Sequence, residues 1–284
     1  MTESSIIFIG GGNLYNSISK TLDLDVLGCY DIDKNKSTYN TIDDAILADA
    51  DVYAICTPSS NHRKTYDLLA PNLHNKIITI EKPTFLKLED FNINTYTNKV
   101  YPIFQHVYHI PEITVGKILH AQVNVNVSRT QRYYDLADWR GTWEHDGGVL
   151  TNQGIHFIHI IKYLLGDIKE VIFRMSTAVD IEAEDTVAGI LTTESGIIVN
   201  IAMTTTCRPD YNSIGSEIIL FGENDYQIIK WQDYPSYPQY HKQCYNDIVK
   251  GNPKSTMEDA RKTMEIIHSA YKSAYGKSML GEHV

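Results

Sequence analysis

Short apolar runs recur along the first hundred residues and are separated by polar stretches compatible with helices. Within each run the apolar residues are nearly continuous, which is typical of strands buried on both faces of a helix-covered parallel sheet. The runs are "SIIFIG", "DVLGCYD", "DVYAICTP", "KIITIEKP" and "VYPIFQ". The pattern predicts a doubly wound α/β domain over residues 1–105, with short helices because only about a dozen residues separate the first two runs.

The pattern changes from about residue 117 onward. Apolar and polar residues alternate in "HAQVNVNVSR", and further strands are predicted at "EVIFRMSTAV", "TVAGILTT", "GIIVNIAMTTT" and "SEIILFG". A helix is predicted at "GIHFIHIIKYLLG", and another at "TMEDARKTMEIIHSAYKSAY", which has a threonine cap and an acidic first turn. Residues 106–284 are therefore expected to form an α+β domain with a mostly antiparallel sheet.

Composition narrows the class of protein. The 284 residues are 43% hydrophobic, and 35 acidic against 25 basic residues give a net charge of -10. Such a charge repels phosphate backbones and anionic lipids, so no nucleic-acid or membrane partner is expected. No apolar run reaches the roughly 18 to 20 residues of a membrane helix and no basic signal segment is visible, so we expect a cytoplasmic protein. The four cysteines form no CxxC and are expected to be ordinary thiols.

A glycine-rich turn follows the first predicted strand in "IFIGGGNLYNS". Gly10 and Gly12 fit the first two positions of GxGxxG, in which glycines let the backbone and the next helix approach a pyrophosphate. Asn13 and Leu14 would complete this cofactor contact. Tyr15 occupies the third glycine position and should push the helix away from the strand. The alternative is a glycine turn without a ligand.

Asp31 follows the second strand, about 20 residues after the glycines, where a carboxylate can accept hydrogen bonds from an adenosine ribose. A carboxylate also repels a 2′-phosphate, so NAD is favoured over NADP. The alternative is a capping or turn aspartate. The third strand ends in "CTPSSNH", and Thr57, Pro58 and His62 should face the same crevice, because ligands bind at the carboxyl ends of the strands.

The fourth strand ends in "TIEKPTF", where a charge pair precedes a proline. Lys82 is expected to point into the ligand crevice, aimed by the backbone restriction that Pro83 imposes. Glu81 is expected to pair locally or to orient the turn beside the cofactor. The alternative is a strand-end turn with a surface ion pair.

A second polar motif lies in "DGGVLTNQGIHFIHIIKYLLGD". If a helix begins there, Asn152 and His156 lie one turn apart on one face and can address a substrate hydroxyl together. His159 falls on nearly the same face. An HxxH metal site is the weaker interpretation, because no third ligand is evident, and we predict no metal.

Just upstream, "SRTQRYYDLADWRGTW" combines guanidinium groups with aromatic rings. Such a mixture can pair with carboxylate or phosphate and stack against rings. The candidate substrate-binding residues are Arg129, Tyr133, Tyr134, Trp139 and Arg140. The alternative is an interdomain surface loop.

These motifs occur in the order found in the Gfo/Idh/MocA family of glucose-fructose oxidoreductases and inositol dehydrogenases, which the chain resembles over nearly its whole length. The matching elements are the glycine turn, Asp31, "TPSSNH", "EKP", "FQHVYHIPE", "DGGVLTNQGIH", "EDTVAGI" and the closing helix. The region around "RYYDLADWRGTWEHDGG" resembles the sugar-nucleotide branch, notably UDP-N-acetylglucosaminuronate 3-dehydrogenases of bacterial surface-polysaccharide pathways.

The resemblance implies an NAD-binding Rossmann domain and an open-faced sheet domain through which dimers or tetramers form. It also implies that Lys82 and His156 lie at the sugar carbon that exchanges hydride, with Asn152 in the same motif, and that the arginines and tyrosines lie near anionic groups of a nucleotide sugar. In such chemistry His156, with a reference pKa of about 6.5, would take the hydroxyl proton, and Lys82 would stabilise the developing alkoxide.

Three positions depart from the family pattern: Tyr15 at the third glycine, Val107 where relatives carry arginine, and His159 where relatives carry aspartate. They leave two alternatives to a sugar-nucleotide dehydrogenase. One is a keto-sugar reductase or cyclitol dehydrogenase of the same fold. The other is a non-catalytic sensor that binds NAD or a sugar nucleotide.

Overall fold

The computed structural model describes residues 4–207, 215–231 and 238–281. The chain forms two compact units, Met1–Tyr108 with Pro235–Arg261 and His109–Tyr234 with Lys262–Val284. Each unit is thus built from two stretches of the chain. Residues 238–261 lie in the first unit, whereas the linear division at residue 105 assigns them to the second domain.

The first unit contains a five-stranded parallel sheet with the strand order β2-β1-β3-β4-β5. The strands are β1 (Ser5–Ile9), β2 (Asp25–Tyr30), β3 (Val52–Ile55), β4 (Ile77–Glu81) and β5 (Lys99–Ile103). All five coincide with the apolar runs. The predicted Rossmann-like, doubly wound architecture is therefore confirmed for this unit.

Helices cover both faces of this sheet. They are α1 (Asn13–Ile18), α2 (Ile42–Leu47), α3 (His62–Leu69) and α6 (Pro238–Val249). Ile7 and Ile9 belong to a core cluster that includes residues of α2 and α3, whereas Ile6 and Phe8 cluster with α1 and α6. Because α1 spans only 6 residues, α6 supplies much of the cover on its face.

Sequence patterns did not predict α6. Its buried residues recur at helical spacing, but most are not aliphatic: Tyr240, His241, Cys244, Tyr245 and Ile248. A periodicity carried by tyrosine, histidine and cysteine is weak on hydropathy scales, which explains why the pattern missed this helix.

The second unit contains a six-stranded sheet with the order β11-β10-β6-β9-β8-β7. The strands are β6 (Ile118–Asn126), β7 (Ile168–Ser176), β8 (Thr186–Thr193), β9 (Ile198–Thr204), β10 (Glu217–Gly222) and β11 (Tyr226–Lys230). Only the central β6–β9 pair is parallel, so the mostly antiparallel α+β prediction is confirmed. The edge strand β11 was not predicted from sequence.

The helices of the second unit are α4 (Gln131–Tyr134), α5 (Ile155–Leu165) and α7 (Met257–Tyr275), the last from residue 262 onward. A π-helical turn, Leu150–Gly154, leads directly into α5. The predicted threonine cap of α7 is present, because Thr256 Oγ1 accepts from the Asp259 N–H at 3.2 Å. No helix within the described ranges has the length and apolar character needed to cross a membrane.

Candidate active site

Each glycine of the turn after β1 meets a different environment. Gly10 has φ +115°, and a Cβ there would lie 2.6 Å from the Cys56 carbonyl oxygen. A Cβ at Gly11 would lie 2.5 Å from the Lys36 carbonyl oxygen, whereas one at Gly12 would meet nothing within 4 Å. Gly10 and Gly11 therefore allow close backbone packing, and Gly12 borders open space that a ligand can enter.

Asp31 is held against this turn. Its Oδ2 accepts from the Gly11 N–H at 2.7 Å, and its Oδ1 accepts from the Asp33 N–H at 2.8 Å. A carboxylate has about four acceptor positions, so Asp31 can still accept from a ligand hydroxyl. An open glycine cradle beside a fixed carboxylate fits a dinucleotide with a free ribose hydroxyl.

Tyr15 packs inward from α1. Its ring contacts Phe8 edge-on with centroids 5.3 Å apart, and burial raises the pKa of its hydroxyl, with Cys29 nearby as a further cause. Tyr15, which was expected to push the helix away from the strand, thus packs against Phe8 of β1. Of the other predicted contacts in this helix, Asn13 is exposed and Leu14 is half-buried.

His62 joins two loops at the carboxyl edge of the sheet. It is 1% exposed, with Nε2 2.8 Å from the Thr57 carbonyl oxygen and Nδ1 3.0 Å from the Pro83 carbonyl oxygen. Burial lowers the pKa of His62, opposed by these carbonyls. The described contacts of His62 thus connect the loop after β3 to the loop after β4. Thr57 is half-buried and Pro58 is exposed.

Glu81 and Lys82 have separate surroundings. Glu81 is 6% exposed, with Oε1 3.2 Å from His241 Nε2 in α6, and its Oε2 accepts from the Lys82 N–H at 3.3 Å. The Glu81 side chain therefore pairs inside the unit, with distant His241 and with the neighbouring backbone of Lys82. Lys82 is half-buried and precedes a cis peptide bond to Pro83.

In the second unit, Asn152 lies in the π-helical turn and His156 in the first turn of α5. Asn152 Nδ2 donates to Asp146 Oδ1 at 2.7 Å, and Asp146 Oδ2 accepts from the Gly141 N–H at 3.2 Å. Asp146 is 6% exposed and His156 is 4% exposed. The carboxylate of Asp146 thus fixes the orientation of the Asn152 amide.

His159 is buried and contacts a residue of α7. It is 1% exposed, and its Nδ1 lies 2.8 Å from Thr263 Oγ1 in α7. Over residues 4–207, 215–231 and 238–281, no three histidine, cysteine, aspartate or glutamate side chains form a group suited to a metal ion. The HxxH spacing therefore has an ordinary explanation in the packing of α5 against α7.

The predicted arginine and aromatic residues form one cluster in the second unit. The Arg140 guanidinium lies 4.1 Å from the Tyr133 ring centroid and 5.0 Å from the Trp139 centroid, and Arg129 lies 4.8 Å from the Tyr133 centroid. The Nε atoms of both arginines are buried without a hydrogen-bond partner, and neither arginine is paired with a carboxylate in the described chain. Among the described residues, the positive charge of this twin-arginine cluster therefore has no carboxylate partner.

Tyr134 differs from its neighbours. It is 8% exposed, its hydroxyl lies 3.1 Å from Thr205 Oγ1, and burial raises its pKa. Its ring packs edge-on against Tyr133 at 5.2 Å, so Tyr134 supports the cluster from beneath. Val107, which replaces the arginine of the family pattern, is 1% exposed and forms part of the core.

Sequence reasoning missed two residues that hold the site. His241 pairs with Glu81 across 160 positions of sequence, and no local signal marks it. Asp146 carries a weak signal, because an acidic residue next to a glycine pair precedes the Asn152 turn by only six positions.

The fold and the polar side chains of each unit define a class. One unit is Rossmann-like and has an open glycine turn beside a fixed carboxylate, and the other has an open sheet, a polar helix start and an arginine cluster. Residues 110–226 match the family model of the GFO/IDH/MocA C-terminal domain. This match supports the resemblance found in the sequence.

Solved structures share the fold of nearly the whole chain. The WlbA dehydrogenase from Bordetella pertussis, in complex with NADH and UDP-GlcNAcA, is 22% identical with a TM-score of 0.79 over 97% of each chain. The UDP-N-acetylglucosamine 3-dehydrogenase GnnA from Acidithiobacillus ferrooxidans is 16% identical with a TM-score of 0.76, covering 96% of this chain and 98% of its own. GenD2 from gentamicin A biosynthesis, in complex with NAD, is 17% identical with a TM-score of 0.77, covering 98% of this chain and 96% of its own. No curated protein matches the sequence.

Proposed function

We propose that this protein is an NAD-dependent dehydrogenase that oxidises a CH–OH group of a sugar nucleotide, namely C3 of a UDP-N-acetyl-hexuronate, for surface-polysaccharide synthesis in the cytoplasm. The observation that carries the substrate assignment is the twin-arginine cluster. Two guanidinium groups that have no carboxylate partner within the described ranges suit an anionic ligand such as a diphosphate or a hexuronate carboxylate. WlbA, which has the same fold, was crystallised with UDP-GlcNAcA, a ligand of this chemistry.

The first unit supports the choice of cofactor. The open side of Gly12 and the fixed carboxylate of Asp31 would receive the dinucleotide, and the negative charge of Asp31 opposes a 2′-phosphate. Two proteins of the same fold, WlbA and GenD2, were crystallised with NADH and NAD. NAD is therefore proposed in preference to NADP.

The reaction converts CH–OH and NAD⁺ into C=O, NADH and a proton. Bound NAD supplies the acceptor for the hydride. We assign removal of the hydroxyl proton to His156 and stabilisation of the developing alkoxide to Lys82. The Asn152 amide, oriented by Asp146, would accept a hydrogen bond from a neighbouring sugar hydroxyl.

Two substitutions test the catalytic assignment. Lys82→Met and His156→Ala should each lower turnover of UDP-N-acetylglucosaminuronate at least 100-fold, while calorimetry shows NAD affinity within a few-fold of the unmodified protein. Lys87→Met and His74→Ala change exposed residues of the same types and serve as matched controls. Full activity in either test variant would refute the assignment.

A panel of UDP- and dTDP-sugars, with NAD and with NADH plus the keto-sugars, separates the proposed function from its rivals. Preferred reduction of a keto-sugar would identify a reductase. Oxidation of free cyclitols would identify a cyclitol dehydrogenase. Calorimetric binding of NAD or a sugar nucleotide without any redox change would identify a sensor.

The twin-arginine cluster has its own test. Arg129→Ala and Arg140→Ala should each raise the KM for the UDP-sugar about 10-fold or more while changing kcat and the KM for NAD little, because they remove binding to a part of the substrate remote from the chemistry. Arg132→Ala, an exposed arginine of α4, is the matched control. An unchanged KM in both cluster variants would show that the anion binds elsewhere.

We also propose a homo-oligomer, a dimer or tetramer, formed through the open face of the second sheet. Ile172, Ile190 and Ile198 are 57%, 43% and 48% exposed, and Ile172 is directly opposite Ile190 on neighbouring strands. Contiguous exposed apolar residues on a sheet face are typical of protein interfaces.

A further inference from the structure

Glu184 is a buried carboxyl group that the proposed chemistry does not use. It is 0% exposed, and its Oε1 accepts two hydrogen bonds, from the Leu150 N–H at 2.9 Å and from the Tyr271 hydroxyl at 3.0 Å. Its Oε2 is buried without a hydrogen-bond partner in the described part of the chain. Such an arrangement is unusual, since buried charged oxygens are normally all paired.

Glu184 and Tyr271 hold three consecutive residues immediately before Asn152. The Val149 N–H donates to the Glu184 carbonyl oxygen at 2.9 Å, and the Leu150 N–H donates to Oε1. Thr151 Oγ1 lies 2.6 Å from the Tyr271 hydroxyl. The backbone that leads into the π-helical turn is therefore fixed from outside its own helix.

Only glycine fits at position 148, because the Glu184 residue lies too close for a side chain. A Cβ at this position would lie 2.0 Å from the Glu184 carbonyl oxygen and 2.3 Å from its Oε2. Any larger residue would displace Glu184 from the start of the turn. The second glycine of the "DGG" pattern upstream of Asn152 is thus explained by the approach of Glu184.

The charge of Glu184 is sensitive to pH in the neutral range. Burial raises its pKa to about 7, the hydrogen bonds from Leu150 and Tyr271 oppose the rise, and the neighbouring Asp185 carboxylate adds to it. From α7, Tyr271 and Tyr275 face it, and burial raises the pKa of Tyr275 to about 12 and that of Tyr271 well above its usual range, so both are neutral.

We infer that Glu184 is a positioning residue for Asn152 and His156, and that its protonation state sets how tightly the start of their helix is held. Protonation at Oε2 leaves both bonds to Oε1 in place, and ionisation makes them charge-assisted and shorter. The catalytic consequence of this inference rests on the proposed dehydrogenase function; the structural coupling does not.

Selective isotope labelling can observe the coupling without any substrate. With 13C-carbonyl valine and 15N-leucine, only Val-Leu pairs give carbonyl-filtered amide signals, and the sequence contains two, Val26-Leu27 and Val149-Leu150. The Leu150 amide proton should move downfield as pH rises through about 7, because its acceptor becomes charged. Leu27 in β2 is the internal control and should not follow this curve.

Two variants test whether Glu184 is the group whose ionisation moves the Leu150 signal. Glu184→Gln keeps an oxygen acceptor but cannot ionise, so the Leu150 inflection should disappear. Tyr271→Phe removes one bond that favours the ionised form, so the inflection should move to higher pH. A Leu150 amide without a pH inflection in the unmodified protein, or with the same inflection in Glu184→Gln, would overturn the inference.

The pH profile of kcat/KM supplies the catalytic readout. The unmodified enzyme should show an ionisation near pH 7 that Glu184→Gln lacks, while at pH 6 the variant stays within about 3-fold of it, since both then present an uncharged side chain. Identical profiles would refute the catalytic role. Absence of turnover with every sugar would count against the proposed function, and the Leu150 titration would still decide the positioning role.

Discussion

Replacing Glu184 with glutamine should change how the stability of the second unit depends on pH. The pKa of Glu184 is about 7 in the folded protein against an ordinary 4.5, so the folded state binds the proton more tightly than the unfolded state. Stabilisation from this proton is fully present below about pH 4.5 and is lost as pH rises through about 7. The two pKa values correspond to about 3 kcal/mol in total, of which about 2 kcal/mol falls between about pH 5.5 and 8.5.

Urea unfolding followed by tryptophan fluorescence measures this effect where it occurs. The chain has 3 tryptophans, Trp139, Trp143 and Trp231, and all belong to the second unit. The free energy of unfolding of the unmodified protein, minus that of Glu184→Gln, should fall by about 2 kcal/mol from pH 5.5 to 8.5, because all other titrations cancel. A difference that stays constant with pH, or rises, would refute the raised pKa. If Glu184→Gln does not fold, Tyr271→Phe replaces it. This variant raises the pKa of Glu184 further, so the free energy of unfolding of the unmodified protein, minus that of Tyr271→Phe, should rise above about pH 7.

Two further predictions follow from side-chain space and exposure. Gly12→Ala should leave the melting temperature unchanged but weaken NAD binding at least 10-fold by calorimetry. Gly10→Ala should lower the melting temperature, because its Cβ would lie 2.6 Å from a carbonyl oxygen. Equal changes in melting temperature in the two variants would refute the distinction. Ile190→Asp should reduce the mass in light scattering to that of a monomer with an unchanged circular dichroism spectrum. Tyr163→Asp, at another exposed apolar position, should leave the mass unchanged. An unchanged mass in Ile190→Asp would exclude this face of the sheet as the interface.

Hydrophobic patterning was a good guide wherever aliphatic residues formed the core. All five strands of the first unit coincide with continuous apolar runs, and α7 begins at the predicted threonine cap. The pattern failed for α6, whose buried face is formed largely by Tyr240, Cys244 and Tyr245. The pattern also failed to show that α6 packs against the first sheet, because a contact between segments more than a hundred residues apart leaves no local periodicity.

The candidate site divides in the same way. Motifs identified side chains whose chemistry is local, such as Asp31, Lys82 and His156. They did not show which groups hold Glu81, Asn152 and the backbone before Asn152, because His241, Asp146 and Glu184 act through contacts that only the folded chain creates. Motif reading also treated His62 as a ligand contact, whereas its described partners are backbone carbonyls; its contact with the cofactor stays a prediction.

Deuterium transfer tests the central proposal most directly. UDP-N-acetylglucosaminuronate carrying deuterium at C3 would be incubated with the protein and NAD, and the nucleotide products analysed by mass spectrometry. The account predicts deuterated NADH together with a keto-sugar nucleotide that has lost the deuterium. Recovery of the labelled sugar unchanged, or NADH without deuterium, would contradict it.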